Sequence, residues 1–275
     1  MQEVLITGGN GYVAKSLYNA LKEKYRVTTI ARSDFDLTSR EETDAFFENK
    51  HFDVVVHTAI KGGSRLQPDS TEVTHCNLSM FYNLLSNRSS YTKLLNIGSG
   101  AEEGFPTSPY GLSKSIISRI VEAELYFYNL RVYAVFDENE LDTRFIKANI
   151  HRYLNNEPML IEQDKYMDFY YMKDLVSVVD YYIQKNPKYE LCPKLFNCSY
   201  NYHLSLSEIA GVINALGDHT VDIDINNSAF GSAYIGNYTM PEMDDYKKLP
   251  YIPTIGLKKG IQEVYDNILH QHIQK

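Results

Sequence analysis

The chain has 275 residues, 44% of them hydrophobic, and a formal net charge of −8. That is enough for one sizeable core, built either as a single large α/β domain or as a nucleotide-binding domain with a smaller appendage. An acidic chain with no run of Lys and Arg argues against a nucleic-acid binder, and no stretch reaches the ~18 consecutive apolar residues of a membrane span.

Taken in order, Glu3 to Thr7 is a short apolar strand that runs into Gly8, Gly9 and Gly11. Val13, Leu17 and Leu21 then recur at helical spacing as far as Lys24. Strands are predicted at Arg26 to Ile30, Val54 to His57, Leu94 to Ile97 and Arg131 to Phe136. Helices are predicted between them, at Glu41 to Lys50, Asn77 to Ser86 and Ser113 to Tyr128. This alternation implies parallel βαβ units, hence a Rossmann-type doubly wound parallel sheet of the α/β class. Beyond Phe136 the alternation loosens. Helices are expected at Phe145 to Leu154, Asp174 to Gln184 and Leu257 to His270, the last preceded by a turn between Pro250 and Pro253. Another, Ser205 to Leu216, opens on a serine followed three residues later by Glu208, the pattern of a capping box. The expected organisation is a cofactor domain at 1–136 with 165–200 returning to it. Residues 137–164 and 201–275 would form a small C-terminal substrate-binding lobe.

Cys76, Cys192 and Cys198 follow no metal-ligand spacing and cannot make a complete disulfide framework, so they read as buried reduced thiols. The amino terminus lacks a charged region ahead of its apolar run and is not a signal peptide, which points to a cytoplasmic protein.

Thr7-Gly8-Gly9-Asn10-Gly11-Tyr12-Val13-Ala14 carries the chemistry of a phosphate loop. Gly8 can take the tight turn out of the strand, Gly11 lets backbone approach a pyrophosphate, and Ala14 lets the helix pack close to the sheet. The unpaired N–H groups of the helix start would then face the phosphates. The cofactor ribose is read at the end of the second strand, where an acid would reject a 2′-phosphate. Ala31-Arg32-Ser33 stands there instead. Arg32 can fork onto a phosphate and Ser33 can donate to it, which favours NADP(H), with NAD(H) as the alternative because Asp34 and Asp36 lie close by.

Tyr110 and Lys114 lie four apart at the start of a predicted helix and so share a face. Hydride transfer to a carbonyl leaves an oxyanion that must take up a proton. A free phenol ionises near pH ~10, and a neighbouring ammonium brings that value toward neutrality. Ser99, on the loop after the Leu94 strand, can hydrogen-bond the same carbonyl oxygen.

The loop Thr7 to Ala14, His57-Thr58-Ala59, Asn77 at a helix start, Ser99, and Tyr110 with Lys114 together resemble the extended short-chain dehydrogenase/reductases, the group of NAD(P)-dependent sugar-nucleotide epimerases, dehydratases and reductases. The resemblance runs along most of the chain and takes in Met167-Asp168-Phe169 through Asp174, Phe196-Asn197 and Ile255-Gly256-Leu257 through Gly260. Phe35-Asp36-Leu37-Thr38 and Gly62-Gly63 are most similar to the 4-keto-sugar reductases, GDP-fucose synthase and dTDP-4-dehydrorhamnose reductase among them. The resemblance implies Ser99, Tyr110 and Lys114 as catalytic. It places Thr7, Gly8, Asn10, Gly11, Tyr12, Val13, Arg32, Ser33, Thr58, Ala59 and Ile60 around the cofactor, with Tyr110 and Lys114. It also implies a homodimer through the Asn77 and Ser113 helices, with Phe81, Leu85, Ile117 and Val121 as contacts.

Departures from the family narrow the reaction. Where GDP-fucose synthase carries an epimerising cysteine this chain has Ala101, and the partner histidine falls near Arg144; neither residue can move protons to and from carbon. Ser99 and Tyr110 are only eleven apart, a short loop for this family. The family's diphosphate-contacting arginine is Met167, so Arg144 and Lys147 become the expected diphosphate contacts, with Lys61 and Ala101 as further expected substrate contacts. The leading expectation is NADPH-dependent reduction of a 4-keto sugar nucleotide without epimerisation. Glu102 and Glu103 offer the acid pair of a dehydratase, so an epimerase or dehydratase with retained NAD is the first alternative. A non-enzymatic cofactor-binding regulator is the second, although such proteins commonly lose the Tyr or Lys kept here.

Overall fold

The computed structural model describes residues 1–64, 68–103, 106–188, 190, 192–226 and 252–273. The chain forms two compact units, Met1–Val132 with Val176–Cys198, and Tyr133–Leu175 with Ser199–Lys275.

The first unit is a parallel six-stranded sheet in the order β2-β1-β3-β4-β5-β9. Its strands are β1 (Glu3–Thr7), β2 (Arg26–Ile30), β3 (Phe52–His57), β4 (Tyr91–Ser99), β5 (Phe127–Val132) and, returning late in the chain, β9 (Leu195–Cys198). Register pairs Val4 with Val54 and Thr7 with His57, which brings the carboxyl ends of β1 and β3 side by side. Val4, Leu5, Ile6, Val54, Val55 and Val56 are fully buried. Consecutive apolar residues are what a strand covered on both faces requires, and each such side chain contributes roughly 1.5–3 kcal/mol.

Helices α1 (Tyr12–Leu21), α2 (Arg40–Phe47), α3 (Thr71–Ser86) and α4 (Pro109–Ala123) fill the crossovers. The start of α4 is set by Ser108, whose hydroxyl accepts from the Gly111 amide at 3.0 Å, and by a proline in its first turn. It therefore begins a turn before the expected Ser113. It also stops well short of Tyr128: Glu124 turns extended, Tyr126 takes a φ of +60°, and Phe127 opens β5. The strand expected at Arg131–Phe136 is accordingly divided between β5 and β6 (Ala134–Phe136). Asn77 lies inside α3, which begins at Thr71, and not at a helix start.

Phe81, Ile117 and Val121 are buried against their own sheet in one cluster with Leu5, Val55 and Phe127, and Leu85 packs on that cluster. These four residues, expected at a dimer contact, serve the unit's own core.

In the second unit β6 pairs in parallel with β8 (Phe169–Tyr171), and β7 (Met159–Ile161) with β10 (Ile223–Ile225). The β6–β8 pairing takes residues 165–175, expected in the cofactor domain, into this unit. Helices α5 (Phe145–Leu154), α7 (Leu206–Asn214) and α8 (Leu257–Ile273) belong to it, and α6 (Met172–Gln184) runs from it into the first. The capping box at Ser205 and Glu208 forms as expected. The Pro250 end of the expected proline turn lies outside the described residues. Asp174 fixes the unit's closing segment: its carboxylate accepts from the Ile255 and Gly256 amides at 2.7 and 3.0 Å and from the Tyr200 hydroxyl. Of the three thiols only Cys198 is buried; Cys76 and Cys192 are half-buried. No helix among the described residues is long and apolar enough to cross a membrane.

Candidate active site

The chain leaves β1 toward one edge of the sheet and β3 toward the other, so a crevice opens at their carboxyl ends. Gly8 stands there with a φ of +72°, and a Cβ built on it would come 2.8 Å from the Ala59 Cα. Only glycine permits both that conformation and that approach. The Gly11 amide closes the turn onto the Gly8 carbonyl at 2.8 Å, and Gly11 caps α1 with no side chain, so the positive end of the helix dipole is presented at the turn. Beneath the turn, Thr7 Oγ1 accepts from the Thr58 and Ala59 amides at 3.2 and 3.1 Å and lies 2.9 Å from His57 Nδ1. With both lone pairs engaged, the Thr7 hydroxyl donates to Nδ1, which makes His57 the neutral Nε2–H tautomer. Burial pushes His57 down to about 3, and the Lys114 charge adds to the effect.

A cavity of about 570 Å³ adjoins this turn, within the ~300–1,000 Å³ range of ligand pockets. Gly8, Asn10, Gly11, Thr58, Ala59 and Ile60 line it, and so do Arg32 and Lys61. A glycine at Gly8 closed to any side chain, a helix start without a side-chain cap and a cavity of this size fit a dinucleotide. Tyr12, Val13 and Ser33 are not among the lining residues. The apolar walls, Phe35, Leu37 and Met80, were missed in sequence; Phe35 and Leu37 sat inside a segment already flagged by resemblance.

Arg32 is highly exposed, 84% for its side chain, with its guanidinium 3.6 Å from Asp36. The two acids that weakened the NADP expectation serve their own loop. Asp34 accepts from the Ala31 amide at 2.7 Å, and Asp36 accepts from the Thr38 amide and hydroxyl at 2.9 and 2.8 Å. Those Thr38 bonds hold the Asp36 carboxyl below its usual range. Lys61 pairs with Glu72 at 2.8 Å, which raises the lysine and lowers the acid.

Asn77 joins the elements around the tyrosine. Its amide exchanges hydrogen bonds with the Lys61 backbone at 2.8 and 3.0 Å and donates to Ser113 Oγ at 3.0 Å. Ser113 in turn donates to the Tyr110 carbonyl at 2.7 Å. Lys114 is buried, with its ammonium 5.9 Å from the Tyr110 ring centroid and donating to the Ile97 carbonyl at 2.6 Å. Two of its three N–H donors remain for a ligand. Burial lowers Lys114 to about 8, opposed by the negative charge of Glu102. Ser99 ends β4 with its Oγ accepting from the Ala101 amide at 3.2 Å, which leaves its hydroxyl proton to donate.

Glu102, whose side chain is 1% exposed, is saturated. One oxygen accepts from Arg131 Nε and Asn129 Nδ2, both at 2.6 Å, and the other accepts from the Ser99 amide at 3.2 Å. Glu103 pairs with the same arginine at 2.8 Å. Both acids of the expected pair are thus engaged with Arg131, and Glu102 also with Asn129 and the Ser99 amide.

In the second unit Arg144 caps α5 and is exposed, whereas the Lys147 ammonium folds back onto the Glu140 carbonyl and Asp142 at 2.9 and 2.8 Å. Arg144 is thus available to a ligand, and Lys147 is engaged within its own turn. Asp168 is buried on His203 at 2.9 Å.

A doubly wound sheet with a glycine cradle at its switch point, followed by Ser, Tyr and Lys at the ends of β4 and α4, defines a dinucleotide-binding α/β oxidoreductase. The chain belongs to the NAD dependent epimerase/dehydratase family, which it matches over residues 4–198. It is an enzyme of the NAD(P)-dependent type within the sugar-nucleotide epimerase, dehydratase and reductase group. Among curated proteins it is similar to CDP-abequose synthase of Yersinia pseudotuberculosis, 24% identical over 66% of this chain and 74% of that one. Its fold is shared by the GDP-mannoheptose C4 reductase of Campylobacter jejuni with NADP bound, at a TM-score of 0.79, 14% identity and 98% coverage of both chains. The ADP-L-glycero-D-manno-heptose-6-epimerase of Helicobacter pylori shares it too, at a TM-score of 0.77 and 20% identity over 98% of this chain and 96% of that one.

Proposed function

We propose that this chain is a cytoplasmic 4-ketoreductase of sugar nucleotides that uses NADPH and does not epimerise its substrate. The observation that carries the reading is the disposition of Lys114, buried beside the Tyr110 ring with two N–H donors to spare, at the end of a β4 strand that terminates in Ser99. When bound, the nicotinamide supplies the hydride. Tyr110 delivers the proton to the carbonyl oxygen, Ser99 donates a hydrogen bond to that oxygen, and the Lys114 charge favours the phenolate left behind. Gly8, Gly11 and the start of α1 hold the pyrophosphate, and Arg32 the 2′-phosphate. A C4 reductase with NADP bound among the structures of the same fold supports both the reaction and the cofactor. Ala101 supports the absence of epimerisation, since a methyl group cannot exchange a proton with carbon.

A dimer through α3 and α4 is retained in this reading, with exposed Tyr82 and Leu112 in place of the four buried residues; sedimentation as a monomer at micromolar concentration would reject it. The reaction is tested by turnover of CDP-, GDP- and dTDP-linked 4-keto-6-deoxy sugars in deuterated water. One NADPH consumed per product, with no solvent deuterium at C3 or C5, is expected. Deuterium above the background exchange of free substrate would show an epimerase, and tightly retained NAD⁺ with no net NADPH consumption would show a hydride-recycling enzyme.

A further inference from the structure

The short connection between Ser99 and Tyr110 is anchored from beneath. A single turn of 3-10 helix, Gly100–Glu102, follows β4, and its capping box is closed at both ends. Ser99 Oγ accepts from the Ala101 amide, and the Glu102 carboxylate accepts from the Ser99 amide. That carboxylate is held by Arg131 and Asn129, both on β5, and the Arg131 guanidinium also donates to Asn197 on β9 at 3.1 Å. Asn129 is bonded in turn to Asn96 on β4 at 2.7 Å and to Ser118 on α4 at 3.1 Å. A buried polar ladder thus crosses three strands and one helix and ends on the main chain of the serine.

We propose that Glu102 is a positioning residue for the reaction, setting the direction of the Ser99 hydroxyl by clamping the serine's main chain to the β5 ladder. The proposal rests on the reading of Ser99, Tyr110 and Lys114 as the reacting groups. Glu102 has a second effect through space. Among the described residues, the charged and titratable groups that adjoin Lys114 or act on it through space are Tyr110 on its own helix, His57 on β3 and Glu102 after β4, the last paired with Arg131 of β5. His57 is neutral, and the Glu102 charge opposes the lowering of Lys114 by burial.

The test is made on the full chain. Glu102→Gln keeps an acceptor for the Ser99 amide but removes the charge, and Glu102→Asp keeps the charge but falls short of the amide. Lys114 is titrated directly by NMR of ¹³Cε-lysine-labelled protein, its signal assigned with Lys114→Met. NADPH binding is read by fluorescence, and turnover with the best of the 4-keto-6-deoxy sugar nucleotides. Glu102→Gln is expected to move the Lys114 midpoint and the alkaline limb of kcat to lower pH by about half a unit or more, with the NADPH Kd within about twofold. Glu102→Asp is expected to lower kcat ~10-fold or more with the limb unmoved, the scale of losing one aligned hydrogen-bond donor. An unmoved midpoint in Glu102→Gln overturns the electrostatic role, and parent kcat in Glu102→Asp overturns the clamp. If the glutamine variant does not fold, the aspartate variant still decides the clamp by its kcat. Tyr110→Phe run in parallel reports on the underlying reading: near-parent turnover there overturns that reading and this proposal with it. Loss there beside parent-like Glu102 variants overturns the proposal alone.

Discussion

Gly63 lies against the ring of Tyr110, so closely that a Cβ built on it would stand 2.9 Å from Cε2. Its φ of +73° already favours glycine. Gly63→Ala should therefore displace the phenol and lower kcat by ~10-fold or more, since small misplacements of a reacting group are costly. NADPH affinity should change little, because Gly63 does not line the cofactor cavity. Parent kcat in this variant would mean that the ring position is not critical.

Tyr110→Phe should lower kcat by ~100-fold or more, the scale of losing a positioned acid, while NADPH binding persists. Lys114→Met removes the charge and the two spare donors together, so turnover and cofactor affinity should both fall. Stopped-flow hydride transfer and fluorescence titration separate the two effects. Near-parent turnover in Tyr110→Phe would show that the proton comes from another group.

Arg32 is an exposed cation that lines the cavity and, in the proposed reading, meets the 2′-phosphate, and Asp34 and Asp36 are both bonded to local amides. The parent should therefore prefer NADPH to NADH. Arg32→Ala should raise KM for NADPH by ~10-fold or more, the worth of a charge-assisted pair, and leave NADH kinetics almost unchanged. Equal kcat/KM for the two cofactors in the parent would refute the assignment.

His57 makes stability depend on pH with a defined sign. Its ordinary value is 6.5 and its folded value about 3, so between these pH values the unfolded chain binds a proton that the folded chain refuses. Stability from this group is complete above 6.5 and is lost as pH falls toward 3. The slope is at most about 1.4 kcal/mol per pH unit. Urea denaturation of the parent and of His57→Asn, compared from pH 6.5 to 5, should show the shallower fall in the variant. Parallel slopes would mean that the ring is protonated in the folded protein.

The parts of the site readable in sequence were those in which one residue type satisfies a local requirement. The positive φ at Gly8 and the small Ala14 against the sheet are of this kind, as are the i and i+4 placement of Tyr110 and Lys114 and the cap at Ser205. Contacts across strands were not readable. Nothing near Glu102 in sequence announces Arg131 or Asn129, which reach it only because β4 and β5 pair in register, Asn96 beside Asn129. The acid pair consequently read as available chemistry. The Lys147 ammonium misled in the same way, since a helix-face spacing does not reveal that the side chain turns back onto Glu140. The boundary at Tyr126 was hidden because Leu125 and Phe127 prolong an apolar rhythm that the backbone breaks at one residue.

The late arrival of β9 has a consequence for synthesis on the ribosome. Until residues 195–198 emerge, β5 is an edge with a row of unsatisfied backbone groups, the kind of surface that recruits other chains. Lys93, buried in the finished protein, donates there to the carbonyls of Tyr182, Ile183 and Lys185, none of which exists when its own strand is made. The nascent amino-terminal segment must hold that ammonium in water and keep its sheet unfinished. Release of a chain truncated at Val132 should give an aggregating fragment, and β9, the last strand of the first unit to be translated, commits that unit to its native state.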